Sequence, residues 1–166
     1  MHYAAWTPDG NSVLLFDAAG PNKSSFRFLD LKTMKMTTVP DSPGKLGPAY
    51  SPDGRYITAT TVEGQMLSLY DVAAQKWSEL AKVSVNAIQW SRDSKYVYFD
   101  TQSNADPAVY RVRVADRKLE TVISLKNLRR VILPFQAWMG LTPDGSPLLM
   151  RDTGTQEVYA LDFEEP

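Results

Sequence analysis

The sequence has no cysteine, and His2 is its single histidine. The lack of cysteine excludes disulfides, thiolate metal ligands and cysteine nucleophiles. A Ser–His–Asp triad would have to use His2, which lies at a terminus, and the Gly-x-Ser-x-Gly motif is also missing. We therefore predict that the chain is not an enzyme, and that it uses no cofactor and no metal held by histidine or cysteine.

The chain also lacks a strong net charge and a long apolar run. Its 166 residues carry a formal net charge of −1, so no global field attracts nucleic acid or an anionic membrane. No stretch approaches the roughly 18 apolar residues of a membrane-spanning helix, and residues 1–10 do not read as a secretory signal. These absences predict no nucleic-acid binding and no membrane insertion. The compartment stays open: cytoplasmic as the sequence stands, or extracytoplasmic if the chain belongs to a longer, membrane-tethered protein.

What the sequence does have is an internal repeat. A turn-like motif occurs four times, with its aspartates 44, 40 and 51 residues apart. The copies read Trp6-Thr7-Pro8-Asp9-Gly10, Tyr50-Ser51-Pro52-Asp53-Gly54, Trp90-Ser91-Arg92-Asp93-Ser94 and Leu141-Thr142-Pro143-Asp144-Gly145. A second segment follows each motif at a similar distance: Phe28-Leu29-Asp30-Leu31, Leu69-Tyr70-Asp71-Val72, Val112-Arg113-Val114 and Ala160-Leu161-Asp162-Phe163. Landmarks held in phase over four copies indicate a repeat of about 40 to 45 residues.

The motif has the chemistry of a tight hairpin turn. In Ser/Thr-Pro-Asp-Gly, proline presets φ, aspartate hydrogen-bonds its own backbone, and glycine accepts a positive φ. Such a turn joins two antiparallel strands. The third copy, Arg92-Asp93-Ser94, lacks both the proline and the glycine. We therefore expect this turn to be the least rigid of the four.

The segments between the turns read as strands, because they are rich in Val, Ile, Leu, Tyr and Phe. No segment longer than ten residues carries a 3.6-residue stripe, which predicts almost no helix. One strand precedes each turn and three follow it, as in a propeller blade. The sequence thus predicts an all-β fold, a β-propeller of about four blades of four antiparallel strands with the last blade incomplete. The approximate blades of this single domain, 1–166, are residues 2–41, 45–82, 84–125 and 131–166.

These residues resemble a known family repeat. The W/Y-S/T-P-D-G motif, the apolar strand after it and the later L-Y-D-like strand resemble the TolB-like, WD-like β-propeller repeat of bacteria over residues 3–163. The tail, residues 154–162, is similar to the end of propeller regions attached to bacterial serine/threonine kinases and winged-helix regulators. The resemblance implies a sensory or scaffolding module within a larger protein. Family propellers usually close with six or seven blades, more than this sequence offers.

The acidic residues have both a structural and a functional interpretation. Asp9, Asp53, Asp93 and Asp144 fall at turn positions, and no D-x-D-x-D-G loop supports calcium binding, so we expect them to cap their own turns. Paired carboxylates cleave glycosides in some propellers. The candidates for such a pair are Asp100, Asp106 and Asp152, although nothing in their spacing singles them out.

Three aromatic residues recur at one repeat position: Trp6, Tyr50 and Trp90. We expect them to wedge between neighbouring blades, where large rings bury much apolar area. The alternative is a row of rings that stacks on a ligand.

One long insertion, residues 126–140, separates the third and fourth repeats. Irregular insertions on repeat scaffolds often carry binding function. The candidate partner-binding residues are Lys126, Arg129, Arg130, Phe135 and Trp138. The alternative is a longer inter-blade strand with a basic surface turn. A second basic group, expected to form a solvated face, comprises Arg111, Arg113, Arg117 and Lys118.

These features predict a non-enzymatic protein-binding or sensory module. The alternative is the propeller portion of a larger enzyme or signalling protein (a kinase, winged-helix regulator or peptidase) whose catalytic or DNA-binding domain is not in this chain. Three complete blades and a three-stranded fourth leave an unpaired edge and two apolar end faces. We expect a homodimer that closes the propeller. The alternatives are a piece of a longer propeller and a monomeric four-bladed ring.

Overall fold

The fold is a series of antiparallel sheets, each built from strands that follow one another in the chain. A computed structural model of the protein describes residues 3–18, 24–101, 106–131 and 137–155. These residues contain no helix, and therefore none that could cross a membrane. The strands are β1 (Tyr3–Trp6), β2 (Ser12–Ala18), β3 (Ser24–Asp30), β4 (Met36–Thr38), β5 (Lys45–Tyr50), β6 (Tyr56–Thr61), β7 (Leu67–Asp71), β8 (Lys76–Ala81), β9 (Ile88–Trp90), β10 (Tyr96–Asp100), β11 (Ala108–Arg113), β12 (Leu119–Ser124), β13 (Met139–Leu141) and β14 (Pro147–Leu149).

Each repeat forms one blade. The sheet orders are β1-β2-β3-β4, β5-β6-β7-β8 and β9-β10-β11-β12, and all neighbouring strands pair antiparallel. The fourth sheet pairs β13 with β14. The second segment of the fourth repeat, residues 160–163, lies outside the described residues. The predicted all-β architecture, with one strand before each turn and the others after it, is confirmed.

All four predicted hairpin turns share one backbone hydrogen bond and one positive φ, although the fourth hairpin is a residue shorter: Thr142 N–H bonds to the carbonyl of Ser146, whereas Thr7 N–H bonds to that of Ser12. In each, the last residue of the motif donates its N–H to the carbonyl oxygen of the Ser or Thr three positions earlier, at 2.9–3.0 Å. That last residue has a positive φ in every copy: Gly10 (71°), Gly54 (74°), Ser94 (59°) and Gly145 (87°). Serine thus adopts in the third turn a conformation that suits glycine better. The lower rigidity expected of this turn stays a prediction.

The apolar core lies between blades. One buried cluster joins the first and second blades through residues such as Leu14, Phe26 and Ile57. A second joins the second and third blades around Leu67 and Phe99, and a third contains Met139 of the fourth blade. The first strands of adjoining blades also contact one another. A single sheet cannot cover its own two faces, so stability comes from stacking.

The insertion after β12 interrupts the first strand of the fourth blade. Leu141 pairs with Pro147 and Met139 with Leu149, and further along the same edge Arg130 forms an antiparallel bridge with Arg151. Hydrogen bonds on either side of that bridge extend the pairing to residues 129–131 and 150–152. Residues 129–131 and 139–140 of the insertion therefore pair with the fourth blade.

Candidate functional site

The turn aspartates are engaged within their own turns. Asp9 accepts a hydrogen bond from the Thr7 hydroxyl at 2.5 Å and Asp93 one from the Ser91 hydroxyl at 2.7 Å, and backbone N–H groups two residues on add a second bond to each. For both carboxyls, the hydrogen bond from the Thr7 or Ser91 hydroxyl is the largest effect that lowers the pKa. Asp144 follows the same pattern with Thr142. At Asp53, burial raises the pKa, but hydrogen bonds from the Ser51 hydroxyl and the Arg55 N–H, together with the charge of Arg55 and a bond from Ser94, lower it overall. These contacts match the predicted capping role.

The residue before each Ser or Thr of the motif, the wedge position, decides how neighbouring blades meet. Trp90 stacks on Tyr56 of the preceding blade at 6.3 Å between ring centroids, with 7° between the planes. Its indole N–H donates to the carbonyl of Ala49 and to the Thr58 hydroxyl, both at 3.1 Å. Tyr50 packs likewise on Phe28 at 6.2 Å. The predicted wedge role is confirmed for these two residues.

For Trp6 the wedge prediction is wrong within the described part of the chain. Its side chain is 67% exposed, because the wedge position of each blade packs on the preceding blade and none of the described sheets precedes the first.

The fourth repeat has Leu141 at the wedge position, and a cleft lies there between the third and fourth blades. The cleft has a volume of about 760 Å3 and is lined by Tyr96, Tyr98, Arg111 and Leu141. The corresponding cleft between the first and second blades, where Tyr50 stands at the wedge position, has a volume of about 440 Å3. A leucine fills less of this space than a tyrosine or tryptophan, so the last blade interface keeps an opening at its rim.

Arginine forms one wall of this cleft. The β10–β11 register places Arg111 opposite Tyr98, just as Leu69 lies opposite Thr58 and Phe28 opposite Leu14 in the earlier blades. An arginine therefore takes a position that is apolar in the first two blades. Its guanidinium lies 4.8 Å from the centroid of the Tyr96 ring, where a cation–π interaction is favourable.

The second basic group lies along the third blade. Arg113 also lies over Tyr96, at 5.6 Å, and the side chains of Arg111 and Arg113 remain 38% and 39% exposed. They thus pack on the tyrosine ring and still contact solvent. Arg117 and Lys118 are exposed as expected. Glu120 bridges the group: hydrogen bonds from Lys118 and then Arg111 lower the pKa of its carboxyl.

The basic residues of the insertion pair with the three carboxylates that the sequence suggested for glycoside cleavage. Lys126 lies 3.1 Å from Asp106, Arg129 lies 2.9 Å from Asp152, and Arg130 lies 2.5 Å from Asp100. The three basic residues proposed for partner binding and the three carboxylates considered for catalysis thus neutralise each other in three ion pairs. The first two pairs are exposed enough for solvent to screen them strongly.

The Asp100–Arg130 pair is buried. Asp100 is fully inaccessible, and the Arg130 side chain is 11% exposed. Asp100 also accepts the Ala87 backbone N–H at 2.8 Å and the Asn86 side-chain amide at 3.1 and 3.2 Å. Arg130 therefore ties the insertion to the third blade, and its charge is satisfied internally.

The remaining candidate partner-binding residues have separate outcomes. Trp138 is 44% exposed, and its ring lies over Gly140, where an added Cβ would come within 2.8 Å of it. Phe135, like His2, lies outside the described residues. Partner binding by the insertion stays a prediction. Among the described residues, no three His, Asp or Glu side chains come together as a possible metal site.

Tyr96, Tyr98 and Leu141 were missing from the sequence-based candidates, although a signal existed; Trp90 and Arg111, which also line the cleft, were named in other groups. Aligning the four motifs puts Leu141 beside Trp6, Tyr50 and Trp90 as the one non-aromatic residue. The part played by Tyr98 and Arg111 depends on strand register, which the sequence did not specify.

These features define an all-β protein of the propeller type. The structure of TolB from Acinetobacter baumannii is similar over 93% of this chain, with a TM-score of 0.69 and 21% identity. An oligogalacturonate lyase in complex with manganese matches over 72% of the chain (TM-score 0.59, 17% identity), and a putative 6-phosphogluconolactonase from Bacteroides uniformis over 86% (TM-score 0.56, 15% identity). The chain therefore has a TolB-like β-propeller fold.

The same comparisons do not assign an activity. No protein-family model matches the chain, and no curated protein sequence matches it. The chain spans 39%, 38% and 44% of the three structures named above. Two of those proteins carry enzyme names, and at these identities the likeness shows the fold alone.

Proposed function

We propose that this chain is a non-enzymatic binding module, and that a segment of a protein partner enters the cleft between the third and fourth blades. The observation that carries the proposal is the wedge position. Trp90 closes one blade interface by stacking on Tyr56, whereas Leu141 leaves the equivalent Tyr96 to an open cleft of about 760 Å3. Volumes of this order accommodate ligand groups.

The chemistry of the walls suggests what the segment carries. Tyr96 and Tyr98 offer aromatic surface, so a large apolar side chain of the partner would take the place that Trp90 has in the preceding interface. Arg111 lines the same cleft, and Arg92 at its rim is exposed. Guanidinium groups beside an aromatic pocket favour a carboxylate next to the apolar group. The expected ligand is a peptide segment with an aromatic residue beside an acidic one.

Binding is favoured over catalysis because a general base must be positioned and free. The three carboxylates considered for glycoside cleavage are each held by a basic partner. Incubating the chain with oligogalacturonate or with 6-phosphogluconolactone should therefore give no product above background. Turnover that disappears in a single carboxylate or serine variant would overturn this part of the proposal.

A second possibility is that the chain is the propeller portion of a larger enzyme or signalling protein. It is supported by the share of each similar structure that the chain spans, 38–44% in the three cases named. In that case the cleft would hold another part of the same protein, and the binding chemistry would be the same.

The experiment is a selection of random peptides displayed on phage against the chain, followed by titration calorimetry of the enriched peptides. The test variant is Leu141→Trp, which fills the cleft as Trp90 fills its own. The matched control is Leu119→Trp, which makes the same change at an exposed position on β12.

We expect enriched peptides to contain an aromatic and an acidic residue. We also expect Leu141→Trp to weaken their binding at least about 30-fold, as filling the pocket of a central anchor does, while Leu119→Trp binds like the wild type. If no peptide is enriched, or if both tryptophan variants bind equally well, the cleft is not the binding site.

A further inference from the structure

One wall of the cleft between the third and fourth blades carries a buried hydroxyl group. Tyr98 lines the cleft and is 5% exposed, and its hydroxyl oxygen accepts a hydrogen bond from Nη1 of Arg111 at 3.5 Å. Across the ranges that the structure describes, no group accepts the proton of this hydroxyl in return. Because buried polar groups normally have all their partners, a spare donor at the wall of a cleft points to an acceptor on a ligand.

The closed interface between the second and third blades shows what such a hydroxyl requires. Thr58 has the repeat position of Tyr98, since each comes five residues after its turn aspartate. The Thr58 hydroxyl accepts the indole N–H of Trp90 at 3.1 Å and donates to the carbonyl of Ala49 at 3.2 Å. Leu141, which replaces the tryptophan in the next interface, has no polar atom in its side chain. A ligand in the wedge position must therefore supply the partner that leucine does not.

The guanidinium of Arg111 is held along one edge by Glu120. Its Nε and Nη2 both contact Oε2 of Glu120, at 2.9 and 2.8 Å. Nη1 is directed at the Tyr98 hydroxyl over a distance longer than the roughly 2.7–3.2 Å of a normal N–H···O bond. Because these two donor atoms are 3.5 Å apart, one carboxylate can accept a hydrogen bond from each of them.

The acidic residues of the same cleft are already engaged. Asp93 and Asp144 line the cleft, but each accepts hydrogen bonds from a hydroxyl and a backbone N–H of its own turn. Arg92, exposed at the rim, adds a positive charge. The cleft thus offers a ligand two donors, Tyr98 and Arg111, and these suit a negatively charged acceptor.

We propose that the Tyr98 hydroxyl and Nη1 of Arg111 together bind a carboxylate, and that Tyr98 is the residue that selects a carboxylate over an amide. This inference rests on the proposed function, because it concerns the same ligand segment in the same cleft. A carboxylate offers acceptor oxygens alone and carries the charge that Arg111 attracts. An amide would bring its own NH2 group beside the guanidinium, where that group would lose its hydrogen bonds to water.

The test uses two small probes, N-acetyltryptophan and N-acetyltryptophanamide. They share the indole ring and differ only in the carboxylate or amide beside it. Each is titrated into the isotope-labelled chain, and binding is followed by NMR. We expect the acid to bind at least about tenfold more tightly than the amide, as expected of hydrogen bonds to a charged group. Leu141→Trp fills the cleft and should abolish the binding of both.

Tyr98→Phe keeps the ring and removes only the hydroxyl. We expect it to reduce the ratio of the two affinities to about threefold or less. The matched control is Tyr110→Phe, which removes a hydroxyl from a ring of the same blade that packs on Phe99, and it should leave the ratio unchanged. Arg111→Met removes the cation and should lower the ratio as Tyr98→Phe does. It carries the test if the NMR spectrum shows that Tyr98→Phe is unfolded.

Three results would overturn the carboxylate site. These are equal affinities of the wild type for acid and amide, an unchanged ratio in Tyr98→Phe, and no binding of either probe up to about 20 mM, the weak limit for so small a ligand. Binding that persists in Leu141→Trp would place the probes elsewhere and would also overturn it. The proposed function is decided separately by the peptide selection, so an aromatic-binding cleft without acid preference would refute this inference alone.

Discussion

The interface between the second and third blades and the interface between the third and fourth blades are two versions of one contact. Between the second and third blades, Trp90 closes the contact by stacking on Tyr56. Between the third and fourth blades, Leu141 leaves a cleft, and the buried Asp100–Arg130 ion pair holds the interface instead. The first interface is closed by apolar packing, and the second is held by the Asp100–Arg130 ion pair beside an open cleft. A repeat architecture can thus keep its stacking geometry while a change at one position leaves a cleft between two blades.

The largest expected effect comes from breaking the Asp100–Arg130 ion pair. Arg130→Met leaves the Asp100 carboxylate buried without its cation, which typically costs about 3–5 kcal/mol. Urea unfolding measures the change. Arg129→Met is the control, because its ion pair with Asp152 is largely exposed and should contribute less than about 1 kcal/mol. Equal losses from the two variants would mean that the buried pair does not hold the interface.

The apolar version of the interface is tested by Trp90→Ala. This change removes the stack on Tyr56 and leaves Thr58 without the indole donor, so we expect a loss of about 3 kcal/mol in unfolding free energy. Trp138→Ala removes the same side chain from a more exposed site and should cost less than about 1 kcal/mol. The comparison fails if Leu141→Ala proves as costly as Trp90→Ala, since Leu141 borders an open cleft.

A smaller effect concerns the turns that meet across the closed interface. The Asp53 backbone N–H donates to the Ser94 hydroxyl at 3.1 Å, and Ser94 has a φ of 59°. Ser94→Ala loses the hydrogen bond and keeps the unfavourable φ, whereas Ser94→Gly loses the bond and removes the strain. We expect the alanine variant to be less stable than the glycine variant by about 1 kcal/mol, measured by thermal unfolding. The reverse order would show that φ at this position is not a source of strain.

The smallest effect is on acid titration. The Ser91 hydroxyl lowers the pKa of Asp93, so Ser91→Ala should raise that pKa toward its ordinary value, as followed by NMR. A carboxyl with a lowered pKa stabilises the fold above its ordinary pKa of about 3.9, and this contribution is lost as the pH falls through the lowered value. The wild type should therefore retain the contribution to lower pH than the variant. Ser91→Thr keeps a hydroxyl, as Thr7 does in the first turn, and should leave the pKa low.

Much of the fold could be read from local chemistry. The turn motif predicted all four hairpins, because aspartate and a residue able to take a positive φ, with proline before them in three of the copies, act within a few residues of each other. The wedge role of Tyr50 and Trp90 also followed from their place in the repeat. Trp6 is exposed because none of the described blades precedes its own, and its position in the motif says nothing about that neighbour.

The sequence by itself determined the repeat, the turns, the strands and so the propeller type, because each depends on residues close together in the chain. Only the tertiary structure decided how the charges are used. Asp100 and Arg130 are 30 residues apart and belong to different repeats, yet they form one buried pair. The cleft likewise depends on Tyr98, Arg111 and Leu141, which β-strand register and blade stacking bring together. Long-range pairing of this kind is set by packing, and no local pattern encodes it.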